Sequence, residues 1–439
     1  MKKKVISCIL ALCMMLALAA CVTEPPPAAD SGAQQPATTP GTETTTQPAA
    51  PDNNADANEP DAEAPTEEFV GAFPGRIAII TNEVSQNEEE FRSAEALQLL
   101  HGEDKVIHRV WPAQFAQEGE MMISILQEIA ADPEVRAVVI NQAVINTNAA
   151  VDALLAMRDD IFIVYASPAE DPADVARRAD LLLDVNNPAI GAAFVEQALS
   201  MGVETIAHYS FPRHMGVPLL AMRRDIMREN AERVGINFVE LNAPDPQGDG
   251  GVAATQLHIT QDIPRQVEAL GLNTAFFGTN CGMQPPMIAQ VLATGAMFVQ
   301  PCCPSPYHGY PGALGLEAFL PSGEFDEDGV EVLVLMPLPD LLQATSDAIA
   351  AQGMSGRVSG WAIPASMMWT TIGFNYAVEW INGNVPQEHG VIDVAVLSRL
   401  AREYAAGLGL DAGATLEPLV LDGRTFNHFI LGIIDYIVY

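Results

Sequence analysis

Residues 75–100 read GRIAIITNEVSQNEEEFRSAEALQLL, and this stretch decides the fold. The apolar run from Ile77 to Ile80 has no polar alternation, which is typical of a strand buried on both faces of a parallel sheet. Ser85 and Glu88 have the spacing of a capping box, which predicts a helix with Phe91, Ala94, Leu97 and Leu100 along one face. A strand, a polar loop and a helix form the first half of a βαβ unit, and in doubly wound sheets such loops form the ligand crevice.

The same pattern recurs along the chain and predicts an α/β protein of two lobes. Five strands separated by helices predict a complete parallel lobe over residues 73–187, and the pattern restarts as a second lobe over 188–300. Residues 301–439 are expected to contain the hinge crossing and to complete the lobes. The apolar tail Phe426–Tyr439 fits either a strand or a helix.

Two of the predicted helices have distinctive residues: charged side chains in one and a proline in the other. The helix from Leu219 to Val234 carries arginines at 223, 224, 228 and 233 that alternate with acidic residues, so we interpret it as a solvated face. A second helix is predicted from Asp262 to Leu270, with Pro264 in its first turn.

The N-terminus has the features of an export signal. Three lysines precede an apolar segment that is too short for a comfortable membrane span, and it ends in Leu-Ala-Ala-Cys at 18–21. These residues resemble a bacterial lipoprotein box, which implies that Cys21 carries lipid and becomes the mature N-terminus. Residues 1–21 are therefore a predicted signal peptide, and residues 22–72, rich in Pro, Thr and acidic residues, a predicted disordered tether.

The net charge of the 439-residue chain is −35, and Lys105 is the only lysine after the signal peptide. So acidic a surface argues against a nucleic-acid partner, because Lys and Arg contacts to phosphate dominate such binding. The acidity is interpreted as an aid to solubility.

Three segments carry a resemblance to a known superfamily. They are LLLDVNNPAIGAAFVEQAL at 181–199, ETIAHYSF at 204–211 and AFFGTNCGMQPPMIAQVLATGAMFV at 275–299. Together they resemble the type I periplasmic-binding-protein superfamily, in which two Rossmann-like lobes joined by a hinge close over a small molecule. More narrowly, the chain is similar to a family of Firmicute-type surface lipoproteins catalogued as of unknown function.

In that architecture, ligand contacts are expected from the loops at the strand carboxyl ends, and donors, acceptors and aromatic faces there suit a polar small molecule. Arg213 with His214 is expected either to pair an anionic ligand group or to form an ion pair within the protein. The full set of candidate ligand-binding residues is Asn82, Glu83, Ser85, Asn141, Gln142, Ser167, Tyr209, Ser210, Arg213, His214, Asn280, Cys281, His308 and Tyr310.

The run PCCPSPYHGY at 301–310 leaves several interpretations open. Cys302, Cys303 and His308, with Cys281, are chemically capable of holding zinc, and His308 is capable of activating a cysteine nucleophile. Adjacent cysteines rarely ligate one tetrahedral ion without strain, so we predict two small thiols in a rigid loop, with no metal, no cofactor and no catalytic residue.

The resemblance implies an extracytoplasmic, membrane-anchored solute-binding lipoprotein rather than an enzyme. It would close over a polar ligand and serve an ABC permease or a membrane sensor. Two alternatives stay open: a surface enzyme that uses the Cys302, Cys303 and His308 loop, and a structural or adhesive lipoprotein.

Overall fold

The computed structural model describes residues 71–325, 331–410 and 413–439. The predicted signal peptide, Cys21 and all but the last two residues of the predicted tether lie outside the described residues. None of the helices in the described part of the chain combines the length and apolarity that a membrane span requires.

Strands and helices alternate through most of the described chain. The strands are β1 (Arg76–Thr81), β2 (Val106–Val110), β3 (Val135–Asn141), β4 (Phe162–Ala166), β5 (Leu181–Val185), β6 (Thr205–Ser210), β7 (Asn237–Asn242), β8 (Thr274–Gly278), β9 (Met297–Phe298), β10 (Phe319–Phe325), β11 (Glu331–Leu335), β12 (Ser359–Trp361), β13 (Thr415–Leu421), β14 (Arg424–Ile433) and β15 (Tyr436–Val438). The helices are α1 (Val84–His101), α2 (Gly119–Ala131), α3 (Thr147–Leu155), α4 (Pro172–Val175), α5 (Asn187–Ser200), α6 (Pro212–Met215), α7 (Pro218–Val234), α8 (Gly251–Leu270), α9 (Gln284–Thr294), α10 (Tyr310–Leu314), α11 (Leu338–Ala351), α12 (Ala365–Ile381) and α13 (Val394–Gly407).

The first lobe is built on a seven-stranded sheet in the order β13-β14-β5-β4-β3-β1-β2. Strands β1 to β5 are parallel, as the continuous apolar run in β1 predicts. Its two faces are covered separately: Ile77 packs with Trp369 of α12, and Ile80 packs with Leu126 of α2. The first sheet therefore has helices on both faces.

Five strands alone do not complete this sheet, although the sequence predicted a complete lobe within residues 73–187; strands from the 301–439 segment, which was expected to complete the lobes, are added to it. Strand β14 from the C-terminal tail pairs parallel with β5, with Ile430 opposite Leu183, and β13 pairs antiparallel with β14 at the edge. Phe429 and Ile430 are fully buried there. The undecided tail is thus a strand, because its apolar residues fill an open edge beside β5.

The second lobe is built on a four-stranded parallel sheet in the order β7-β6-β8-β9. Phe276 packs with Met287 of α9 on one face, and Phe277 packs with Phe194 of α5 on the other. Two small antiparallel sheets, β10-β11 and β12-β15, accompany it. Both lobes are parallel sheets flanked by helices, which confirms the predicted fold class.

Helix α1 starts differently from the prediction. It begins at Val84 with Glu83 as its N-cap, and no side chain caps it. The predicted capping box is wrong, because the Ser85 hydroxyl donates to Glu83 Oε1 at 2.6 Å instead. Asn87 has non-helical backbone angles (φ −156°, ψ 96°) and interrupts the first turns.

Three helices also differ from the sequence predictions, two in their buried face and one in where it begins. Leu100, predicted to face inward, is 48 % exposed, whereas polar residues near the start of α1 are buried. Pro264 lies inside α8, which begins at Gly251 rather than at Asp262. In α7, Arg223 is 1 % exposed, so the interpretation of this helix as a solvated face fails at that residue.

Candidate functional site

An open cleft lies between the carboxyl ends of the strands of the two sheets. It encloses about 900 Å³, including the solvent within it. Polar residues from both lobes line it, namely Asn82 after β1, Gln142 after β3, Ser167 after β4, Asp184 in β5, Arg213 after β6, Gln247 after β7, Thr279 after β8 and Cys302 after β9. The cleft therefore occupies the place where open α/β sheets bind ligands.

Half of the predicted ligand-binding residues line this cleft. They are Asn82, Gln142, Ser167, Arg213, His214, Asn280 and Cys281. The cleft lining does not include Glu83, Ser85, Asn141, Tyr209, Ser210, His308 and Tyr310. Each of these seven contacts another part of the protein.

Several of the excluded residues have structural partners. Asn141 is fully buried, and its Nδ2 donates to the Ser366 carbonyl and to Thr370 Oγ1, both at 2.8 Å. The hydroxyl of Tyr209 donates to Asp262 Oδ2 at 2.8 Å. Asn141 and Tyr209 hold helices against the two sheets and turn away from the cleft.

The other excluded residues behave similarly. Ser210 Oγ lies 2.9 Å from Thr279 Oγ1, and the hydroxyl of buried Tyr310 donates to the Ser359 carbonyl at 2.5 Å. Glu83 and Ser85 bond to each other at the start of α1, outside the cleft. His308 lies behind the cleft wall, against Glu89.

Arg213 forms an ion pair within the protein, and the Arg213–His214 pair is not arranged as an anion site. Arg213 Nε and Nη2 donate to the two carboxylate oxygens of Asp245 at 2.9 and 2.7 Å. The His214 ring packs on Phe211 with centroids 4.2 Å apart, and burial lowers the pKa of His214 to about 3. The guanidinium is already paired and the imidazole is neutral, so of the two expectations the structure favours the ion pair within the protein.

The cleft has a buried arginine that the sequence pattern did not reveal. Arg223 lines the cleft, and its Nη1 donates to Asn187 Oδ1 at 2.8 Å. Asn187 Nδ2 in turn donates to Asp184 Oδ2 at 3.0 Å. Arg223 Nε and Nη2 have no hydrogen-bond partner among the described residues. One signal in the sequence was available: Gly191 permits the close approach of α5 and α7, since a Cβ there would lie 2.8 Å from the Arg223 carbonyl oxygen.

Asp184 is fully enclosed beside this arginine. Burial raises the pKa of Asp184 to about 7, although the Val185 N–H and the nearby Arg223 both oppose the shift. A carboxyl group poised in this range can donate or accept hydrogen bonds near neutral pH.

A second buried polar group lies at the start of α1. Glu90 is fully buried, and burial, with the charge of Glu89, raises the pKa of Glu90 to about 8. Gln142 Nε2 donates to Glu90 Oε1 at 3.1 Å. The apolar periodicity of α1 could not reveal these residues, because they are polar residues on an inward face.

The three cysteines that follow the N-terminal segment lie together at the cleft wall. Cys281 and Cys302 are buried, and Cys303 is partly buried. Burial raises the pKa of the Cys302 thiol well above its usual range, and the Cys281 thiol adds to the shift. His308 Nε2 lies 3.4 Å from the carbonyl oxygen of Cys281, and no hydrogen bond joins the His308 ring to a sulfur among the described residues. The arrangement therefore does not resemble an activated cysteine nucleophile.

Comparison with known proteins places the chain in a family. Residues 76–359 match the family described as "Protein of unknown function (DUF3798)". An uncharacterized protein of Treponema pallidum (strain Nichols) is 29 % identical over 171 residues, which are 39 % of this chain and 79 % of the relative.

One solved structure shares the fold, and a second aligns less closely. The crystal structure of a candidate transcriptional regulator from Clostridium difficile 630 aligns with a TM-score of 0.63 and 21 % identity, over 84 % of this chain and 99 % of that one. An ABC transporter solute binding protein from Clostridium phytofermentas, solved with L-rhamnose, aligns over 84 % of this chain and 96 % of its own, with a TM-score of 0.48 and 11 % identity. The chain belongs to the family of unknown function DUF3798, and it shares its fold of parallel sheets flanked by helices with the Clostridium difficile structure.

Proposed function

We propose that this protein binds a small polar solute in the cleft between its two lobes. The observation that carries the proposal is Arg223, a buried guanidinium at the cleft whose Nε and Nη2 have no hydrogen-bond partner among the described residues. A buried donor without a partner is unfavourable by about 1–3 kcal/mol, so a ligand that accepts these bonds gains affinity.

The residues around Arg223 indicate the chemistry of the solute. Asn82, Gln142 and Asp184 from the first lobe and Thr279 from the second offer both donors and acceptors. A hydroxyl-rich or carboxylate-bearing molecule satisfies such a set, whereas an apolar ligand leaves it unpaired. Contacts from both lobes would stabilise a closed state of the hinge.

We further propose that the protein acts outside the cytoplasmic membrane, anchored by lipid on Cys21, and delivers its solute to an ABC permease or a membrane sensor. The support is the sequence at 18–21 and the acidic tether after it. Metabolic labelling with a palmitate analogue tests the anchor. Label that is lost in Cys21→Ser supports it, and label that persists in that variant contradicts it.

A thermal-shift screen of the full chain tests the binding function. The panel contains sugars, polyols, organic acids, amino acids and nucleosides. At a hundred times its dissociation constant, a true ligand adds about 2.7 kcal/mol to the free energy of unfolding. The proposal predicts that one chemical class raises the midpoint in a saturable way.

Two matched variants locate the response. Asp184→Asn changes a cleft residue, and Asp160→Asn makes the same change before β4, at the opposite end of the sheet. The ligand shift should shrink in the first and stay in the second. A panel without any hit, or a shift that is equal in both variants, contradicts the proposal.

A further inference from the structure

Three sulfur atoms form a compact triangle beside the cleft. Cys281 Sγ lies 3.6 Å from Cys302 Sγ and 3.5 Å from Cys303 Sγ, and the sulfurs of the two adjacent cysteines are 3.9 Å apart. With zinc–sulfur bonds of about 2.3 Å, two thiolates on one tetrahedral zinc are separated by roughly 3.8 Å. The three sulfurs therefore already have the spacing of ligands to a single ion.

The backbone explains how adjacent cysteines can share an ion. Cys302 and Cys303 lie in the irregular segment between β9 and α10, where neither a strand nor a helix forces neighbouring side chains apart. Cys281 approaches from a different loop, the one after β8. The segment brings both sulfurs within 3.6 Å of Cys281 Sγ, so adjacency in the chain does not keep the pair from reaching one ion.

His308 is placed as the fourth ligand, nearer to Cys281 and Cys302 than to Cys303. A ring nitrogen of His308 and the sulfurs of Cys281 and Cys302 all lie within 4.8 Å of one another. Its Nδ1 lies 3.4 Å from Glu89 Oε1, and its Nε2 faces the Cys281 loop. Histidines that bind metals commonly donate their other ring N–H to a carboxylate, and Glu89 is in that position.

Amide groups surround the sulfurs with hydrogen-bond donors. Gln142 Nε2 is 3.7 Å from both Cys281 Sγ and Cys303 Sγ, and Asn87 Nδ2 is 3.8 Å from Cys281 Sγ. Donors of this kind orient metal-bound thiolates and stabilise their negative charge. They explain why amide side chains are buried at the kinked start of α1.

The local charge also fits a zinc–thiolate group. Three thiolates and one Zn²⁺ carry a net charge of −1, and Arg223 Nη1 lies 3.5 Å from the Cys302 carbonyl oxygen. The acidic group beside Arg223 is Asp184, and burial raises the pKa of Asp184 to about 7. The three thiols also lie close enough to act on the charge of Arg223, so an anionic metal centre there would add negative charge beside this buried cation.

We propose that Cys281, Cys302, Cys303 and His308 bind one zinc ion in a closed, four-coordinate site. The ion would join the loop after β8 to the segment after β9 and, through His308 and Glu89, fix both to α1 of the first lobe. Four protein ligands leave no open position, so the role is structural rather than catalytic. The proposal does not depend on the identity of the solute in the cleft.

Metal analysis of the reduced full chain tests this site. After loading with zinc and extensive dialysis, about one zinc per chain is expected to remain. Cys303→Ser, at the most exposed of the three thiols, should bind zinc at least about tenfold more weakly, since even outer partners of metal ligands contribute ~10–100-fold. A control chain with Cys8, Cys13 and Cys21 replaced by serine should keep the metal.

X-ray absorption of the zinc-loaded wild-type chain tests the ligands without any variant. Three sulfur neighbours at about 2.3 Å and one nitrogen at about 2.0–2.1 Å are expected. The proposal is overturned if the folded wild-type chain retains no zinc, if Cu(I) but not zinc occupies the triangle, or if Cys303→Ser retains wild-type affinity. Solute binding that persists in metal-free protein would leave the proposed function intact, so the two failures are distinguishable.

Discussion

Gly432 is the position where one added methyl group tests the insertion of the C-terminal strand into the first sheet. A Cβ at Gly432 would lie 2.4 Å from Cη2 of Trp369, although real Cβ contacts essentially never fall below 3.0 Å. The ring would have to move by at least the 0.6 Å between these two values. Trp369 is fully buried in a close-packed core, so the ring has no free space to enter.

We expect Gly432→Ala to lower the free energy of unfolding by about 2 kcal/mol. Overpacking of a core costs typically 1–3 kcal/mol, and a large rigid ring belongs at the upper end of that range. The lower conformational entropy of unfolded alanine returns about 0.5–1 kcal/mol. Urea denaturation followed by far-ultraviolet circular dichroism measures the change.

A second variant assigns the effect to one contact. Trp369→Phe removes the ring atoms that the new methyl group would meet, so the double variant should be at least about 1 kcal/mol more stable than the sum of the single changes predicts. Additive effects would refute the packing of β14 against α12. Because Gly432 pairs with Val185, next to Asp184, weaker solute binding should accompany the loss of stability.

Three further predictions concern the cleft. Burial raises the pKa of Asp184 to about 7, so the folded state holds a proton that the unfolded chain releases near pH 4. The free energy of unfolding should therefore fall as the pH rises from about 4 to about 7, by up to ~1.4 kcal/mol per pH unit. Asp184→Asn should flatten this part of the stability profile in urea titrations, and an unchanged slope would contradict the burial argument. Arg213→Gln and Asp245→Asn should each lower the free energy of unfolding by about 1 kcal/mol, because the ion pair is bidentate and mostly enclosed. A double-mutant cycle should give a coupling energy of about 1 kcal/mol, and zero coupling would mean that the ion pair does not form in solution. Gly191→Ala should weaken solute binding, since its Cβ would lie 2.8 Å from the Arg223 carbonyl oxygen and would displace α7. Solute affinity equal to that of the wild type, measured by calorimetry, would exclude this link between Gly191 and the cleft.

Much of the fold was predictable from local sequence. Continuous apolar runs such as Ile77–Ile80 and Leu181–Leu183 mark parallel strands, because a strand covered on both faces leaves little room for polar alternation. Half of the ligand-binding residues predicted from their loops line the cleft, from Asn82 to Cys281. These features depend only on neighbours in the chain.

Long-range pairings were not predictable in the same way. Strand β14 pairs with β5, from which it is separated by more than 200 residues of sequence. The apolar pattern of β14 alone does not indicate which strand it pairs with. The burial of Arg223 was hidden because the neighbouring arginines are indeed exposed or paired on the surface. The thiol triangle needs Cys281 from one loop and Cys302 from another, so spacing along the chain gave no metal-binding signature.

Hydrogen–deuterium exchange with the solute that gives the largest saturable thermal shift tests the central claim most directly. Binding between the lobes predicts slower exchange in loops of both lobes, at residues 142–145 and 167–169 of the first and at 213–217 and 279–281 of the second. The amino ends of the strands, such as residues 132–136, should exchange as before. Protection confined to one lobe, or located only away from the cleft, would contradict a solute-binding cleft.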